Sequence, residues 1–426
     1  MKCGGEAEAI GQSIGFFRVA ASDIPLLIEE TKARLSGAGR RESYDNILRA
    51  LVRAGRFFAE DITGIPWTEI DFPEDVAYAN NIILTAQSVR NPMINRPIHV
   101  VGAGGIGVAL AWSLCRAGCR VTVVDADPQK VEHGRREGLT VVGHGTEQAS
   151  FTLFENWLLP TDALVLLCTK TYNNAAVLAV LPETSRLVPV QNGFDPKLDQ
   201  RNHAAEGIAS FVSECLRDRP VTRITRPGDL HLGARRSVSA AEKNDLAELA
   251  HALSPGALFA VQSVDDVRPY KATKLMYNAA ISPLAAAAGV DNGELLTDPV
   301  AKRLFFGLLR ENYTILRHAR IPLSKIGPFH PDTVSLILRI PGLPSIMGAF
   351  FRPSLRGTYC SMAPDMVTDR TEIDAYNGHL IRLAGGLPCP LNRAAFALVN
   401  KIVRDRLIPG RAHLHELEGA LKGEPV

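Results

Sequence analysis

IHVVGAGGIGVALAWSLCRAGCRVTVVD, residues 98 to 125, is the stretch that decides the fold. A short apolar run leads into a glycine-rich turn, helical spacing follows, and a second apolar run ends at Asp125. Gly102, Gly104 and Gly107 form the pattern G-x-G-x-x-G. The first glycine of this pattern permits a tight turn, the second lets the backbone approach a phosphate, and the third lets the helix pack closely on the strand.

The position of this loop, between a strand and a helix, predicts a dinucleotide-binding site. Backbone N–H groups at a helix N-terminus attract phosphate, and we expect the cofactor to contact Gly102, Ala103, Gly104, Gly105, Ile106 and Gly107. Asp125 ends the second strand, where a carboxylate accepts hydrogen bonds from ribose hydroxyls and repels a 2′-phosphate. Asp125 therefore favours NADH over NADPH. A phosphate clamp formed by Lys130, Arg135 or Arg136 is the open alternative.

Strands and helices alternate beyond this loop. Apolar runs at Arg120–Val124, Ala163–Cys168 and Leu187–Val190 read as strands, and Gly107–Ala117 and Pro128–Glu137 read as helices. Short apolar strands separated by helices predict a doubly wound parallel sheet of the Rossmann type. From residue 265 onward helical patterns dominate. We therefore predict an extra, mostly helical N-terminal segment (1–95), a Rossmann domain (96–265) and a helical substrate domain (266–426).

The composition excludes several classes of protein. The chain has 426 residues, of which 46% are hydrophobic and 22% charged, with a net charge of +2. These values argue against a disordered chain and against nucleic acid as the main partner. We also expect no membrane span and no metal site, because no apolar stretch is long enough and the seven cysteines are scattered. The expected location is cytoplasmic.

Residues 1–95 differ in character from the rest of the chain. Helical spacing is visible over Asp23–Leu35, Tyr44–Ala59 and around Val76–Ala86. This segment shows no residues with a catalytic pattern. Helices packed on the next domain, or a docking or oligomerisation module, are the two interpretations that remain.

Polar residues follow two predicted strands, at the sheet edge where doubly wound folds bind their ligands. Lys170 follows the run that ends at Cys168, and Asn192 follows the run that ends at Val190. Lys170 could reach the cofactor or an anionic substrate, and Asn192 could bind ribose or substrate. Ordinary turn chemistry explains the Asn192-Gly193 pair equally well.

A polar stripe crosses an otherwise apolar helix in KLMYNAAISPLAAAAGVDNGEL, residues 274 to 295. Lys274, Asn278 and Ser282 recur at four-residue steps and share one face. Such a stripe suits the carboxylate and carbonyl of a small acid, whereas a solvated edge, with Pro283 near the helix end, is the structural alternative. A second cluster, YCSMAPDMVTDRTEIDAYNGHL at 359–380, offers Glu372 as a carboxylate facing Lys274. A helix-capping pair formed by Thr371 and Asp374 is the structural alternative for this cluster.

Together these motifs resemble the ketopantoate reductase (2-dehydropantoate 2-reductase) family over about residues 97 to 407. The resemblance rests on G-A-G-G-I-G, C-T-K-T, Q-N-G, K-L-M-Y-N-A-A-I-S-P-L, D-N-G-E-L, C-S-M-A-P-D and R-T-E-I-D-A-Y-N-G, in that order. It implies reduction of a 2-oxo acid, such as ketopantoate, to the 2-hydroxy acid by NADPH. The resemblance implies that Lys274 is the catalytic lysine and that Glu372 is an acidic partner that binds substrate or supports Lys274. It further implies substrate contacts at Asn278 and Ser361, and a cofactor–substrate boundary at Lys170 and Asn192.

Two positions depart from the family pattern. Asp125 stands where the family commonly has a basic residue suited to a 2′-phosphate, and Ser282, a predicted substrate contact, stands where it often has a second asparagine. A related dehydrogenase or imine reductase acting on another small substrate, or a non-catalytic dinucleotide-binding partner protein, remain as alternatives. A homodimer is a further expectation.

Overall fold

The computed structural model describes residues 21–35, 44–56, 72, 75–76, 94–256 and 258–423. The chain divides into two compact units, Met1–Arg90 and Asn91–Val426. In the first unit, helix α1 spans Ile24–Leu35 and α2 spans Tyr44–Arg53. Both lie within helices predicted from the sequence. Residues 57–59 of the second predicted helix and 77–86 of the third lie outside the described residues.

The second unit begins with three sheets. Its strands in chain order are β1 (Ile98–Val101), β2 (Val121–Asp125), β3 (Leu139–Val141), β4 (Gly145–Glu147), β5 (Ser150–Leu153), β6 (Leu164–Leu167), β7 (Arg186–Pro189), β8 (Ala205–Ala209), β9 (Val212–Cys215), β10 (Val221–Arg226), β11 (Asp229–Ala234) and β12 (Ala260–Asp266). The main sheet has the order β5-β2-β1-β6-β7, and all its pairings are parallel. This is the predicted doubly wound sheet.

The apolar strands are buried because helices cover both faces of this sheet. Successive residues alternate between the two faces, so Val100 and Leu166 join one hydrophobic cluster while Val101 and Leu167 join another. The predicted strand and helix boundaries differ from the observed ones by one or two residues. The predicted helix at Gly107–Ala117, for example, spans Gly105–Arg116.

Two smaller sheets, whose strands the sequence patterns did not predict, are formed mainly by residues 205–266 together with β3 and β4. Strands β4-β3-β10-β9 form one sheet and β12-β11-β8 form the other. Strands β3 and β4 have only three residues each, and β9 is half-buried along its whole length. Without a clear alternation of buried and exposed residues, such strands give little periodic signal.

Helices make up most of the remaining chain. With those of the sheet region they are α3 (Gly105–Arg116), α4 (Pro128–Glu137), α5 (Asn174–Val180), α6 (Pro196–Gln200), α7 (Ala240–Leu253), α8 (Arg268–Ala288), α9 (Asn292–Leu295), α10 (Pro299–His318), α11 (Pro331–Arg339), α12 (Leu343–Leu355), α13 (His379–Ala384), α14 (Pro390–Arg404) and α15 (Ala412–Lys422). In the part of the chain that is described, no helix is long and apolar enough to cross a membrane.

Helix α8 runs through Pro283, so the alternative that placed Ser282 near a helix end is wrong. A proline at position 283 removes the N–H that would bond to the carbonyl of Ala279. The side chain of Asn377 supplies the missing donor, with Nδ2 2.9 Å from the Ala279 oxygen. The helix therefore continues to Ala288, and Ser282 is buried in its middle.

A buried ion pair joins the sheet region to the first turn of α8. The Lys271 amine lies 2.6 Å from a carboxylate oxygen of Glu206 on β8, and both side chains are almost fully buried. Arg235 and His203 also contact this carboxylate, at 3.0 and 2.6 Å. Burial acts to raise the pKa of Glu206, but the Lys271 charge and the His203 hydrogen bond outweigh it and hold the pKa at about 2.

We expect Glu206→Ala to lower the free energy of unfolding by about 3–5 kcal/mol, because Lys271 would remain buried without its counter-charge. The stabilisation by Glu206 should be full above pH 4.5 and lost as the pH falls toward 2, since its folded-state pKa is depressed. Chemical denaturation measures both. Asp218→Asn, which breaks the exposed pair with Arg219, is the control and should change little. Equal losses in the two variants would contradict the assignment.

Candidate active site

The three motif glycines meet three different constraints at the start of α3. Gly102 has a φ of +102°, and a Cβ there would lie 2.9 Å from the Thr169 nitrogen. A Cβ on Gly107 would lie 1.9 Å from the Gly102 oxygen. At Gly104, by contrast, a Cβ would meet no atom within 4 Å, so the backbone borders open space at the helix N-terminus. This cradle fits the pyrophosphate of a dinucleotide.

Strand β9 packs on the same loop, a contact that the sequence did not predict. A Cβ on Gly105 would lie 2.5 Å from the Ser213 hydroxyl oxygen. The thiol of Cys215 donates to the Ala103 oxygen across 3.4 Å. The small sheet therefore forms one wall of the nucleotide site.

Asp125 turns its carboxylate toward the glycine loop. Its two oxygens accept hydrogen bonds from the backbone N–H of Ala103 at 2.7 Å and of Asp127 at 2.9 Å. Because each carboxylate oxygen can accept more than one hydrogen bond, capacity remains for ribose hydroxyls. Lys130, one of the alternative phosphate ligands, donates to the Ala103 oxygen at 3.1 Å. Arg135, another, donates through Nε to the Phe151 oxygen at 3.1 Å.

Lys170 is held by the helical part of the chain. Its amine lies 3.1 Å from both the Asp365 and the Glu372 carboxylates and also donates to the backbone oxygen of Ser361. Burial acts to lower the pKa of Lys170, but the charges of Glu372 and Asp365 raise it above its ordinary value. These contacts connect the strand-end loop after β6 to the segment around Ser361.

The expected pairing of Glu372 with Lys274 is not what the structure shows. Glu372 is almost fully buried, and it accepts hydrogen bonds from the backbone and hydroxyl of Thr171 at 3.2 and 3.3 Å besides pairing with Lys170. Among the described residues no ion pair joins Glu372 to Lys274. The physical reason is competition: Lys170 and Thr171 already occupy the Glu372 oxygens.

Asn192 follows β7 with an unsatisfied acceptor. Its Oδ1 is buried and has no hydrogen-bond partner among the described residues. Gln191 beside it is fixed by its Nε2, which donates to the Thr169 oxygen at 2.7 Å. At Gly193 a Cβ would lie 2.7 Å from that of Ala375, so only glycine allows the close approach. The loop is thus held in place, and the Asn192 Oδ1 is free to accept a hydrogen bond from a ligand. A simple Asn-Gly turn does not require a buried oxygen without a partner.

The polar face of α8 looks toward the sheet region. Lys271 on this face pairs with Glu206 and places its amine 4.7 Å from the ring centre of Phe194. Lys274 lies one turn further and is half-buried. Within the described chain, neither Lys274 nor Asn278 forms a hydrogen bond or an ion pair. Burial lowers the pKa of Lys274 to about 8, and the nearby charge of Arg226 adds to the lowering.

Ser361 and Ser282, both predicted to bind the substrate, lie on neighbouring segments of the helical part. The Ser361 hydroxyl lies 3.0 Å from that of Tyr376, which is fully buried. The neighbouring Cys360 thiol donates to the Ser282 backbone oxygen across 3.5 Å, so these segments are adjacent. Tyr376 and Arg226 were not predicted as site residues. Tyr376 lies within the motif R-T-E-I-D-A-Y-N-G, where only Glu372 was singled out, and Arg226 lies in none of the motifs. Within the described residues no cluster of His, Cys, Asp and Glu could hold a metal ion.

Comparison with known proteins agrees with this geometry. The family model described as "Ketopantoate reductase PanE/ApbA" matches residues 98–236, and "Ketopantoate reductase PanE/ApbA C terminal" matches residues 266–403. Together they cover more than half of the chain. The protein belongs to the ketopantoate reductase family. Membership confirms the predicted resemblance and makes the chain an oxidoreductase that acts on a CH–OH/C=O group.

The individual relatives are distant in sequence, and several of them match this chain over nearly their whole length. The 2-dehydropantoate 2-reductase of Pyrobaculum aerophilum is 24% identical over 307 residues, which are 71% of this chain and 96% of that protein. A PanE/ApbA family ketopantoate reductase from Ralstonia eutropha JMP134 gives a TM-score of 0.59 at 23% identity, covering 73% of this chain and 99% of its own. A D-mandelate dehydrogenase solved with NADH and anilino(oxo)acetate gives 0.58 at 19% identity, covering 76% and 99%. These neighbours confirm the predicted Rossmann-plus-helical fold.

Gly104→Val should weaken NAD(P)H binding by about tenfold or more, because the new side chain would fill the space that the pyrophosphate needs. The fold should survive, since Gly104 has extended backbone angles and no neighbour within 4 Å. Fluorescence titration with NADH and NADPH measures the effect. Gly386→Val, at an exposed glycine with equally open surroundings, is the matched control. Unchanged affinity in the Gly104 variant would place the cofactor elsewhere.

Proposed function

We propose that this protein uses NAD(P)H to reduce a 2-oxo acid, ketopantoate or a similar branched compound, to the 2-hydroxy acid. The observation that carries the proposal is the Lys274 amine. It stands without a counter-charge on the helix face that looks toward the nucleotide-binding half. Its pKa of about 8 leaves it mostly protonated at neutral pH yet able to release a proton.

The chemistry follows from the charge that develops on the substrate. Hydride addition to a ketone leaves negative charge on the oxygen, and a cationic amine within hydrogen-bond reach stabilises that charge and donates the proton. Bound dihydronicotinamide supplies the hydride. In this proposal Lys274 is the proton donor.

The neighbouring side chains have supporting roles in the proposal. Asn278, Ser282 and Ser361 bind the substrate from the helical side, and the free Oδ1 of Asn192 binds substrate or the adjacent ribose. Lys170 borders the cofactor, and Glu372 positions it through the ion pair described above. Glu372 therefore acts through Lys170 rather than through Lys274. The homodimer expected from the sequence stays a prediction.

We expect Lys274→Ala to reduce kcat by about 10²–10⁴-fold while the Kd for NAD(P)H stays close to that of the wild type, because only the proton donor is lost. In the wild type, reduction should slow as the pH rises through about 8, where Lys274 loses its proton. Stopped-flow or steady-state oxidation of NAD(P)H with branched 2-oxo acids measures both.

Lys243→Ala, which removes an exposed lysine from α7, is the control and should behave as the wild type. The alkaline decline near pH 8 should also be absent from the residual activity of Lys274→Ala. Near-wild-type turnover in that variant would end the proposed role of this lysine.

Asp125 leads us to propose NADH as the preferred donor. A ribose 2′-phosphate would meet the Asp125 carboxylate, which the Ala103 and Asp127 N–H groups hold beside the loop. We therefore expect a higher kcat/KM with NADH than with NADPH. Asp125→Ser should reduce the ratio of these two kcat/KM values by about tenfold, because it removes the repulsion between the carboxylate and the 2′-phosphate. Initial rates with both donors test this. A clear NADPH preference in the wild type would favour the Lys130 clamp instead.

A further inference from the structure

Arg226 ends strand β10 at an irregularity of the small sheet. The β10–β9 register shifts between Ile224 and Arg226, so that Arg226 pairs with Val212. Bulges of this kind turn a side chain out of the regular alternation and recur beside active sites. The next residue of β9, Ser213, packs on Gly105 of the glycine loop. Arg226 therefore lies one strand away from the nucleotide cradle.

The guanidinium of Arg226 lacks the partners that similar arginines have. Arg201 donates to the Leu181 oxygen at 3.2 Å, and Arg235 lies 3.0 Å from the Glu206 carboxylate. Arg226 is half-buried, and within the described residues it forms no hydrogen bond or ion pair. Burial lowers its pKa below the ordinary value. A half-buried cation without an acceptor costs free energy, which is unusual unless a ligand supplies the missing charge.

This cation is close to Lys274, the proposed proton donor. The chain runs from Arg226 through Pro227 and Gly228 into β11, whose His231 contacts the first turn of α8. The charge of Arg226 also contributes to the lowered pKa of Lys274. His231 on β11 borders the same region: its ring stacks on Tyr270 at 4.6 Å, one helical turn before Lys274. His231 is 5% exposed, and its Nδ1 is buried without a hydrogen-bond partner among the described residues. Arg226, His231 and Lys274 thus all have unused hydrogen-bonding capacity, which an anionic ligand could satisfy.

We propose that Arg226 binds the carboxylate of the 2-oxo acid and thereby determines specificity for acids over neutral ketones. This inference rests on the proposed function, in which Lys274 addresses the adjacent ketone oxygen. A guanidinium matches a carboxylate with two parallel N–H···O bonds, and so fixes the orientation of the substrate as well as its charge. The other predicted substrate contacts cannot supply this selectivity: Lys170 is already paired with Asp365 and Glu372, and the remaining ones, Asn192, Asn278, Ser282 and Ser361, are neutral.

The test compares a 2-oxo acid that the wild type reduces with its neutral 2-oxo amide. Arg226→Gln should lower the ratio of kcat/KM for acid over amide by about 100-fold, mainly through a higher KM for the acid. The Kd for NAD(P)H should stay within about twofold. Arg226→Lys keeps the charge but loses the planar guanidinium that forms two parallel hydrogen bonds. Its acid/amide ratio should lie between those of the wild type and Arg226→Gln. Arg223→Gln, on the exposed side of the same strand, is the matched control.

Two further readouts distinguish substrate binding from a structural role. Arg226→Gln should leave Tm unchanged or higher, because it removes an unpaired half-buried charge. The alkaline decline in turnover should move to higher pH, because the charge that lowers the pKa of Lys274 is gone. An unchanged acid/amide ratio would overturn the inference, as would a weaker cofactor Kd with an unchanged ratio, which would assign Arg226 to a cofactor phosphate. If the wild type reduces no 2-oxo acid, the proposed function itself fails.

Discussion

The candidate site depends on which of its buried lysines pair with a carboxylate and which one does not. Lys170 is balanced by Asp365 and Glu372, and Lys271 by Glu206. Lys274 lies one turn from Lys271 on the same helix and has no carboxylate partner among the described residues. The carboxylates Glu372 and Asp365 raise the pKa of Lys170, whereas burial lowers that of the unpaired Lys274, so Lys274 is the amine suited to act as an acid near neutral pH.

The helix that carries Lys274 has to remain continuous for this arrangement to exist. Pro283 would ordinarily end or kink it, and the Asn377 amide prevents the loss of a hydrogen bond by donating to the Ala279 oxygen. Asn377 in turn donates to Asn392 at 2.9 Å, and the Asn312 amide donates to the Met276 oxygen of the same helix. Buried amides from two other segments thus bond to the backbone of α8, and Asn392 links these two amides to each other.

The sequence predicts the parts of this molecule that depend on local rules. The glycine loop, the apolar strands and the order of the motifs each have a short-range signature, so the fold class and family follow from the sequence alone. The partners of charged side chains do not. Glu372 was expected opposite Lys274 because both are family positions, yet Lys170, 202 residues earlier in the chain, occupies its carboxylate. Arg226 gives no sequence signal, because what distinguishes it is the lack of a neighbour.

Unpaired charges in the cleft also couple substrate binding to proton donation. In the free protein Arg226 lowers the pKa of Lys274. In the proposed complex the substrate carboxylate neutralises Arg226, and by linkage the pKa of Lys274 rises as the anion binds. The amine would therefore hold its proton most firmly when a ketone is in place. After the proton has moved to the alkoxide, the neutral amine no longer attracts the product. The unpaired charges of Arg226 and Lys274 destabilise the free protein, and a bound anion removes this destabilisation. In the proposed complex, substrate affinity and the pKa of Lys274 therefore depend on the same interaction.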